Sequence, residues 1–268
     1  MTPGRANLDV LRGRLRAYDG LVVAYSGGAD SAFLATVAHQ ALRDRMVAVT
    51  AVSPSLAASE RADAAAFAAE HGFRHVEVET DELERAAYRV NDGLRCAQCK
   101  DALMDALLPI ADEHGAAVAL GVNLDDLGDH RPGQAAASGR GAVFPLVDAG
   151  FTKADVRAAS RRLGLRTWDK PAAPCLASRV PYGTPVDVEL LSKIERAEAG
   201  LRDLGFRELR VRHGAADGGT ARIEVPVREL AGVVEQRESV LAAVRSAGYR
   251  RVTLDLDGLR SGNLNDDL

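Results

Sequence analysis

The 268-residue sequence lacks any apolar run approaching the roughly 20 residues needed to cross a bilayer, so we expect no membrane contact. Its first residues, MTPGRANLD, lack the apolar stretch of a secretory signal, which predicts a cytoplasmic protein. A basic surplus is missing too, because 34 Lys and Arg residues face 38 Asp and Glu residues, for a net charge of −4. Nucleic-acid affinity depends on neutralising phosphates, so a general nucleic-acid binder is disfavoured, although a local basic patch stays open.

Cysteine is scarce: the chain has three, namely Cys96, Cys99 and Cys175. An odd number in a chain without an export signal argues against a disulfide framework, and it directs attention to metal binding or thiol chemistry. Hydrophobic residues make up 47% and charged residues 27%, which is typical of an ordinary globular protein. The length allows one large or two modest domains.

Short apolar runs alternate with helix-like stretches in the first part of the chain. Residues 20–25 are apolar on both faces, as a central parallel strand covered on each side would be. Further strands are predicted over 46–53, 74–78 and 116–121, and helices over 30–42, 58–71 and 101–114. This strand–helix alternation predicts an α/β fold with a doubly wound, mostly parallel, Rossmann-like sheet.

The pattern changes after about residue 145. A loop over 168–185 contains four of the ten prolines, and we expect it to link two domains. Beyond it, a helix (187–204), two strands (208–212 and 221–225), a helix (227–247) and a last strand (251–256) predict a smaller α+β domain with an antiparallel component. The predicted domains are residues 1–170 and 171–268.

The segment SGGADS, residues 26–31, lies between the first predicted strand and its helix. Its two glycines let the backbone approach an anion closely, and the helix N-terminus behind it favours negative charge. Ser26 and Ser31 add hydroxyl donors, and Asp30 could help to place a magnesium ion. The GK[ST] ending of the Walker loop is absent, which argues against GTPase-type cleavage. A plain capped turn is the structural alternative.

The segment RCAQCK, residues 95–100, holds a CxxC pair, and Cys175 follows 76 positions after Cys99. Three thiolates can hold three irons of a four-iron cluster and leave the fourth iron open. Zinc would ordinarily take a fourth protein ligand, and the sequence has no histidine at finger-like spacing from the pair. From the residues alone, a cluster, a zinc site and a redox or inert dithiol all stay open.

The run AYSGGADSAFLA, residues 24–35, resembles the pyrophosphate-binding loop of the PP-loop ATPases. The resemblance implies that ATP, with Mg²⁺, adenylylates a carbonyl or carboxylate oxygen and releases pyrophosphate, after which a nitrogen or sulfur nucleophile displaces AMP. It also implies that the adenine lies against the second strand, and that the first domain is the ATP-binding one. The implied nucleotide-site residues are Ser26, Gly27, Gly28, Asp30, Ser31, Ala51, Ser53, Gly121, Asp129 and Arg131.

Further motifs resemble, in order and spacing, those of the LarE family of ATP-dependent sulfur transferases. They are RCAQCK (95–100), LGVNLDD (120–126), GDHRPG (128–133), PCLASRVPYGT (174–184), RVR (210–212) and ARIE (221–224). The resemblance implies that a carboxylate of a pyridinium dicarboxylate mononucleotide becomes a thiocarboxylate during nickel-pincer nucleotide biosynthesis. It assigns Ser178, Arg179, Arg210 and Arg212 to the substrate's phosphate or carboxylates, and Cys175, Glu198 and Glu224 to catalysis.

The cysteine count distinguishes two versions of that chemistry within the family. In members with one cysteine, the residue that matches Cys175 forms a thioester, loses its sulfur and becomes dehydroalanine. This sequence instead resembles the three-cysteine members, which implies a 4Fe–4S cluster held by Cys96, Cys99 and Cys175. The open iron would carry an extra sulfide for transfer. The family also implies a homo-oligomer.

Other functions stay open at this level. A PP-loop enzyme that thiolates tRNA would share the loop and a cluster, but the net acidity weighs against it. An ammonia-dependent amidating ligase would need the loop but no cysteine cluster. A nucleotide-binding or metal-storage protein without turnover would bind ATP without cleaving it, so AMP and pyrophosphate as products distinguish the enzymes from it.

Overall fold

The computed structural model describes residues 8–128, 132–214 and 219–260. It divides into two compact units, of which the first comprises Met1–Glu82 and Cys96–Ala173 and the second comprises Leu83–Arg95 and Pro174–Leu268. The second unit therefore includes a segment, Leu83–Arg95, that interrupts the first unit in the sequence. Within the described residues, no helix combines the length and apolarity that a membrane crossing requires.

The elements are numbered in chain order. The strands are β1 (Leu21–Ala24), β2 (Met46–Val52), β3 (His75–Glu79), β4 (Ala117–Leu120), β5 (Arg210–His213), β6 (Thr220–Glu224) and β7 (Arg251–Leu254). The helices are α1 (Leu8–Arg16), α2 (Ala29–Leu42), α3 (Ala58–His71), α4 (Ala86–Arg89), α5 (Arg95–Glu113), α6 (Pro132–Gly139), α7 (Pro145–Asp148), α8 (Lys153–Arg162), α9 (Val188–Asp203), α10 (Leu230–Glu235) and α11 (Arg237–Ser246).

The first unit is built on a four-stranded sheet in the order β3-β2-β1-β4, with all three strand pairs parallel. Along β1, Leu21 and Val23 join a buried cluster with α1, α2, α3 and α8, whereas Val22 joins a second cluster with α5 and α6. Because the strand is apolar on both faces, it can be covered from both sides. The predicted α/β fold with a parallel sheet is confirmed.

The strand order places the start of α2 at a reversal in the sheet. The chain proceeds from β1 to β2 to β3 in one direction, and β4 is added on the other side of β1. In open α/β sheets, ligands bind beyond the carboxyl ends of the strands at such a reversal. Two loops meet this description, namely the one after β1, residues 25–28, and the one after β4, residues 121–123.

The second unit contains a three-stranded sheet in the order β5-β6-β7, in which β5 is antiparallel and β7 parallel to β6. Helix α9 packs against β5 and α11, and the side chain of Asp187 caps it by accepting a hydrogen bond from the Leu190 amide at 2.8 Å. The single helix expected over 227–247 is wrong. The backbone leaves the helical conformation at Gln236, with φ −92° and ψ 19°, and separates α10 from α11.

Candidate active site

The loop between β1 and α2 is held in shape by its own serines. The Ser31 hydroxyl accepts a hydrogen bond from the Ser26 amide at 3.2 Å and donates one to the Gly28 carbonyl at 3.2 Å. The two serine hydroxyls lie 3.1 Å apart, and the Ser26 hydroxyl also accepts from the Gly28 amide at 3.4 Å. These bonds close the turn, while Ser26 stays exposed at its tip.

The two glycines of this loop have different reasons to be glycine. Gly27 has φ +69°, and a Cβ there would lie 2.8 Å from the Cβ of Ala64 in α3, so both backbone geometry and space exclude a side chain. Gly28 has an ordinary φ of −75° and caps α2 without a side-chain hydrogen bond. The amides of the first turn of α2 therefore have no side-chain cap, as an anion-binding helix N-terminus requires.

Asp30, in the first turn of α2, is tied to the loop that follows β4. Its carboxylate forms an ion pair with Lys153 and accepts a hydrogen bond from the Asn123 side chain at 3.3 Å. Gly121 allows this approach, because a Cβ there would lie 2.9 Å from the backbone nitrogen of Ser31. The predicted residues Asp30, Ser31 and Gly121 are therefore brought together, along with two residues, Asn123 and Lys153, that were not predicted.

Lys170 is a further residue of this site that sequence reasoning missed. Its ammonium donates to the Gly27 carbonyl at 3.1 Å and forms ion pairs with Asp63 at 2.5 Å and Glu60 at 2.9 Å. Burial raises the pKa of Asp63, but hydrogen bonds from Lys170 and Arg166 outweigh burial and hold that pKa below its usual value. A lone lysine 143 positions from the loop it touches carries no local sequence signal.

The predicted adenine-binding residues lie at the same edge of the sheet. Ala51 is at the end of β2, and Ser53 follows it, accepting a hydrogen bond from the Ser55 amide at 3.2 Å. Because β2 is adjacent and parallel to β1, its carboxyl end lies at the same edge of the sheet as the loop between β1 and α2, which we call the phosphate loop. Asp129 and Arg131 lie outside the described residues.

Cys96 and Cys99 lie in the first turn of α5, on one helical face. Cys96 is exposed, Cys99 is partly buried, and neither is in a disulfide. Gly133 packs against this turn, because a Cβ there would lie 2.9 Å from the Cys96 carbonyl oxygen. These two thiols belong to the first unit and Cys175 to the second. The described residues include no group of three or more His, Cys, Asp or Glu side chains placed to hold a metal ion.

In the second unit, Cys175 is exposed and precedes a short 3₁₀ helix, Leu176–Arg179. The guanidinium of Arg179 turns back onto this segment. Its Nη1 donates to the carbonyls of Pro174 at 2.6 Å and Cys175 at 3.2 Å, and to the Ser178 hydroxyl at 3.1 Å. Arg179, with only 5% of its surface exposed, therefore holds in place the loop that carries the thiol, residues 174–184, which we call the Cys175 loop.

Glu198 of α9 is fully buried, and its carboxylate holds the guanidinium of Arg179 by hydrogen bonds. Its Oε1 accepts from Arg179 Nε at 2.8 Å and from the Val211 amide at 3.1 Å. Its Oε2 accepts from Arg179 Nη2 at 3.2 Å and from Arg202 at 2.8 Å. With four donors on two oxygens, the surroundings favour a positioning role for Glu198, and its predicted catalytic role stays a prediction.

Arg210 and Arg212 of β5 form the second part of this arginine cluster. Arg212 donates to the Ser178 carbonyl at 2.6 Å and pairs with the fully buried Glu224 at 3.1 Å. Arg210 donates to the Arg260 carbonyl at 3.2 Å. Burial, followed by the like charges of Arg212 and Arg179, lowers the pKa of Arg210. Hydrogen bonds therefore join the predicted substrate residues Ser178, Arg179 and Arg212 at the Cys175 loop, and Arg210 is near enough to both arginines to be affected by their charges.

A parallel sheet with a glycine loop after an internal strand, followed by a helix without a side-chain cap, is consistent with the PP-loop ATPase class. A family model described as NAD synthase matches residues 6–104, which include this loop. An uncharacterized protein of Synechocystis sp. is 43% identical over 263 residues, covering 97% of each chain. An uncharacterized protein of Methanocaldococcus jannaschii is 24% identical over 242 residues, covering 90% of this chain and 91% of the relative.

A third relative carries a named activity. The pyridinium-3,5-bisthiocarboxylic acid mononucleotide synthase of Lactiplantibacillus plantarum is 36% identical over 256 residues, which cover 95% of this chain and 92% of the relative. This degree and extent of similarity show that the chain belongs to the LarE family of ATP-dependent sulfur transferases.

Proposed function

We propose that this enzyme adenylylates a carboxylate of a pyridinium dicarboxylate mononucleotide, releases pyrophosphate and converts the carboxylate to a thiocarboxylate for a nickel-pincer nucleotide cofactor. The observation that carries the proposal is the exposed thiol of Cys175, on a loop held by buried arginines that suit an anionic substrate. The product named for the Lactiplantibacillus plantarum relative supports the substrate class.

The activation step belongs to the first unit. The pyrophosphate of ATP would meet the first amides of α2, where the helix dipole and free N–H groups favour negative charge. The carboxylate of Asp30 and the amide oxygen of Asn123 are oxygen ligands of the kind Mg²⁺ prefers. Lys153 and Lys170 place two ammonium groups at the loop, where they pair with Asp30 and with Asp63 and Glu60. They would have to exchange these partners to contact the leaving pyrophosphate.

Substrate recognition belongs to the second unit. Three buried arginines, Arg179, Arg210 and Arg212, face two buried carboxylates, Glu198 and Glu224, so positive charge is in excess. Burial, and after it the like charges of Arg212 and Arg179, disfavour the charged form of Arg210 and lower its pKa. A phosphate or carboxylate would relieve that repulsion, and the planar fork of arginine suits both groups.

The sulfur source is proposed from the donor set. Three cysteines outside disulfides are the ligands that iron–sulfur clusters take, so Cys96, Cys99 and Cys175 suit a 4Fe–4S cluster in chemical type. A bound cluster would supply an additional sulfide at the iron without a cysteine ligand. In the alternative route, the Cys175 thiolate attacks the acyl adenylate, AMP leaves, and elimination from the thioester yields the thiocarboxylate and dehydroalanine.

The test uses anaerobically purified full-length protein, ATP and the carboxylated nucleotide. We expect AMP and pyrophosphate in equal amounts, about four irons per chain, and more than one thiocarboxylate per chain when sulfide is supplied. Absence of AMP and pyrophosphate in the presence of the substrate would overturn the proposed function.

Cysteine variants then distinguish the two sulfur routes. Cys96→Ser with Cys99→Ser should remove iron and abolish multiple turnover while ATP binding persists. If multiple turnover survives in that double variant, the cluster proposal is wrong. If the mass of the intact protein after turnover shows loss of H₂S from Cys175, the sacrificial route operates instead.

A further inference from the structure

The segment Leu83–Arg95 belongs to the second unit, and two of its side chains bond to the loop that follows Cys175. Asn91 is fully buried and has φ +57°, a backbone conformation that asparagine tolerates better than most residues. Arg95 is 4% exposed, a low value for an arginine. Buried polar side chains require compensating contacts, and both residues have them.

The amide of Asn91 is enclosed by a turn of the Cys175 loop. Its Nδ2 lies 2.8 Å from the Pro181 carbonyl, 2.9 Å from the Thr184 carbonyl and 3.4 Å from that of Val180. In the other direction, the Gly183 amide donates to the Asn91 carbonyl at 3.0 Å. An –NH₂ group has two donors, so the two shorter contacts can both be hydrogen bonds.

Arg95 connects this turn to the backbone beside Cys175. Its Nη1 donates to Oδ1 of Asn91 and, at 2.8 Å, to the carbonyl of Ala177, two residues after Cys175. Its guanidinium also lies over the ring of Tyr182, 5.8 Å from the centroid. The bond to Oδ1 fixes which end of the Asn91 amide faces the three carbonyls, so the two side chains act as one unit.

We propose that Asn91 and Arg95 are positioning residues for sulfur transfer, which hold the Cys175 loop in its working shape. Arg95 is the residue before Cys96, so the chain passes directly from this anchor into the CxxC pair. The pattern N-x-x-x-R-C-x-x-C, residues 91–99, therefore contains the two side chains that hold the Cys175 loop and also two cysteine thiols. The link to sulfur transfer rests on the proposed function, whereas the effect on the loop does not.

The structural part is tested by amide hydrogen exchange in two variants of Asn91. Asn91→Asp keeps the acceptor for Arg95 but places an oxygen against the carbonyls, and Asn91→Gly keeps the backbone conformation without the side chain. We expect the amides of Gly183 and Val186 to exchange about tenfold faster or more in both variants. The Leu191 and Ile194 amides of α9 should not change.

Arg228→Gln, which removes an exposed arginine of the same unit that pairs with Glu208 at 3.0 Å, is the matched control and should leave the loop unaffected. Unchanged exchange of Gly183 and Val186 in both Asn91 variants would overturn the inference. If Asn91→Asp does not fold, Asn91→Gly alone decides, because it introduces neither charge nor backbone strain.

The functional part is tested by separating the two half-reactions. In Asn91→Gly and Arg95→Lys, kcat for thiocarboxylate formation should fall at least about tenfold while the KM for ATP stays within about twofold. The anaerobic spectrum of the iron-loaded protein should also change. Equal losses in ATP binding and sulfur transfer would contradict a positioning role. If the wild-type protein transfers no sulfur, the proposed function is wrong. The hydrogen-exchange experiment still tests whether Asn91 and Arg95 hold the Cys175 loop.

Discussion

The phosphate loop and the Cys175 loop are held in shape by opposite means. The phosphate loop is closed by bonds among residues 26–31, so its shape depends on neighbours in the sequence. The Cys175 loop is held by side chains far away in the chain, including Asn91, Arg95 and Arg212. The loop motif can therefore predict the bonds within residues 26–31, whereas the bonds that Asn91 and Arg95 make to the Cys175 loop become visible only when the chain is folded.

The two sites also differ in where their charges lie. The ion pairs around the phosphate loop, such as those of Lys170 and Lys153, involve partly exposed groups. The network around Cys175 is centred on Glu198, whose side chain has no exposed surface. Removing one member of a buried network leaves its partners charged and desolvated, and this costs far more than the loss of an exposed pair. The second site should therefore be the more fragile.

The largest expected effect follows from Glu198→Ala. Because Arg179 and Arg202 would lose their shared carboxylate, the free energy of unfolding should fall by about 3–5 kcal/mol. Urea denaturation followed by circular dichroism measures this loss. Glu189→Ala is the matched control, since Glu189 is exposed in the first turn of the same helix, and it should cost less than about 1 kcal/mol. Equal costs for the two variants would show that the buried network around Cys175 is no more fragile than an exposed charge on the same helix.

A smaller effect is expected at the phosphate loop, where two neighbouring glycines provide an internal control. Gly27→Ala should lower the free energy of unfolding by about 2–3 kcal/mol, from left-handed backbone strain and the contact with Ala64. Gly28→Ala meets only the flexible Ser26 hydroxyl at 3.4 Å and should cost less than about 1 kcal/mol. Thermal unfolding of both variants decides the point, and equal shifts would show that the Ala64 contact does not constrain the loop.

The smallest effect concerns pH. The pKa of Asp63 in the folded protein is below its unfolded value, so the stability it contributes is present above about pH 4 and is lost as the pH falls further. Asp63→Asn should cost about 1 kcal/mol at neutral pH, given partial solvent screening. The difference in Tm between the two proteins should shrink from pH 5 to pH 3, and a constant difference would contradict the ion pair as its source.

Much of the fold followed from local signals. The helix over 58–71 ends at Gly72, which has φ +66°, and Thr152 starts α8 with a capping box formed with Asp155. Such ends depend on a few adjacent residues, so periodicity and glycine position suffice to predict them. The interruption at Gln236 did not follow, because Glu235, Gln236, Arg237 and Glu238 all favour a helix and no proline lies among them. The place of Leu83–Arg95 in the second unit has no local signal either.

The site was predictable to the extent that its geometry is local. Ser26 and Ser31 could be predicted from the loop motif, because their hydrogen bonds lie within six residues. Gly27 could be predicted as a turn glycine, but its contacts with Ala64 and Lys170 could not. Lys170 reaches the loop only through the folded chain, and a lysine before a proline is otherwise unremarkable. Residue type alone also does not show whether an arginine pairs with a buried carboxylate, as Arg179 does with Glu198, or binds a substrate. The role of Arg179 in substrate binding and that of Glu198 in catalysis therefore stay predictions.

The contact between Gly27 and Ala64 has a consequence for how this sequence can change. Any side chain at position 27, or a larger one at position 64, would push the phosphate loop away from α3, although the two positions lie 37 residues apart. The small residue at position 64 is then required for the shape of the phosphate loop, not only for the helix that contains it. Substitutions that enlarge position 64 should reduce ATP affinity, even though that residue lies in α3 and outside the loop.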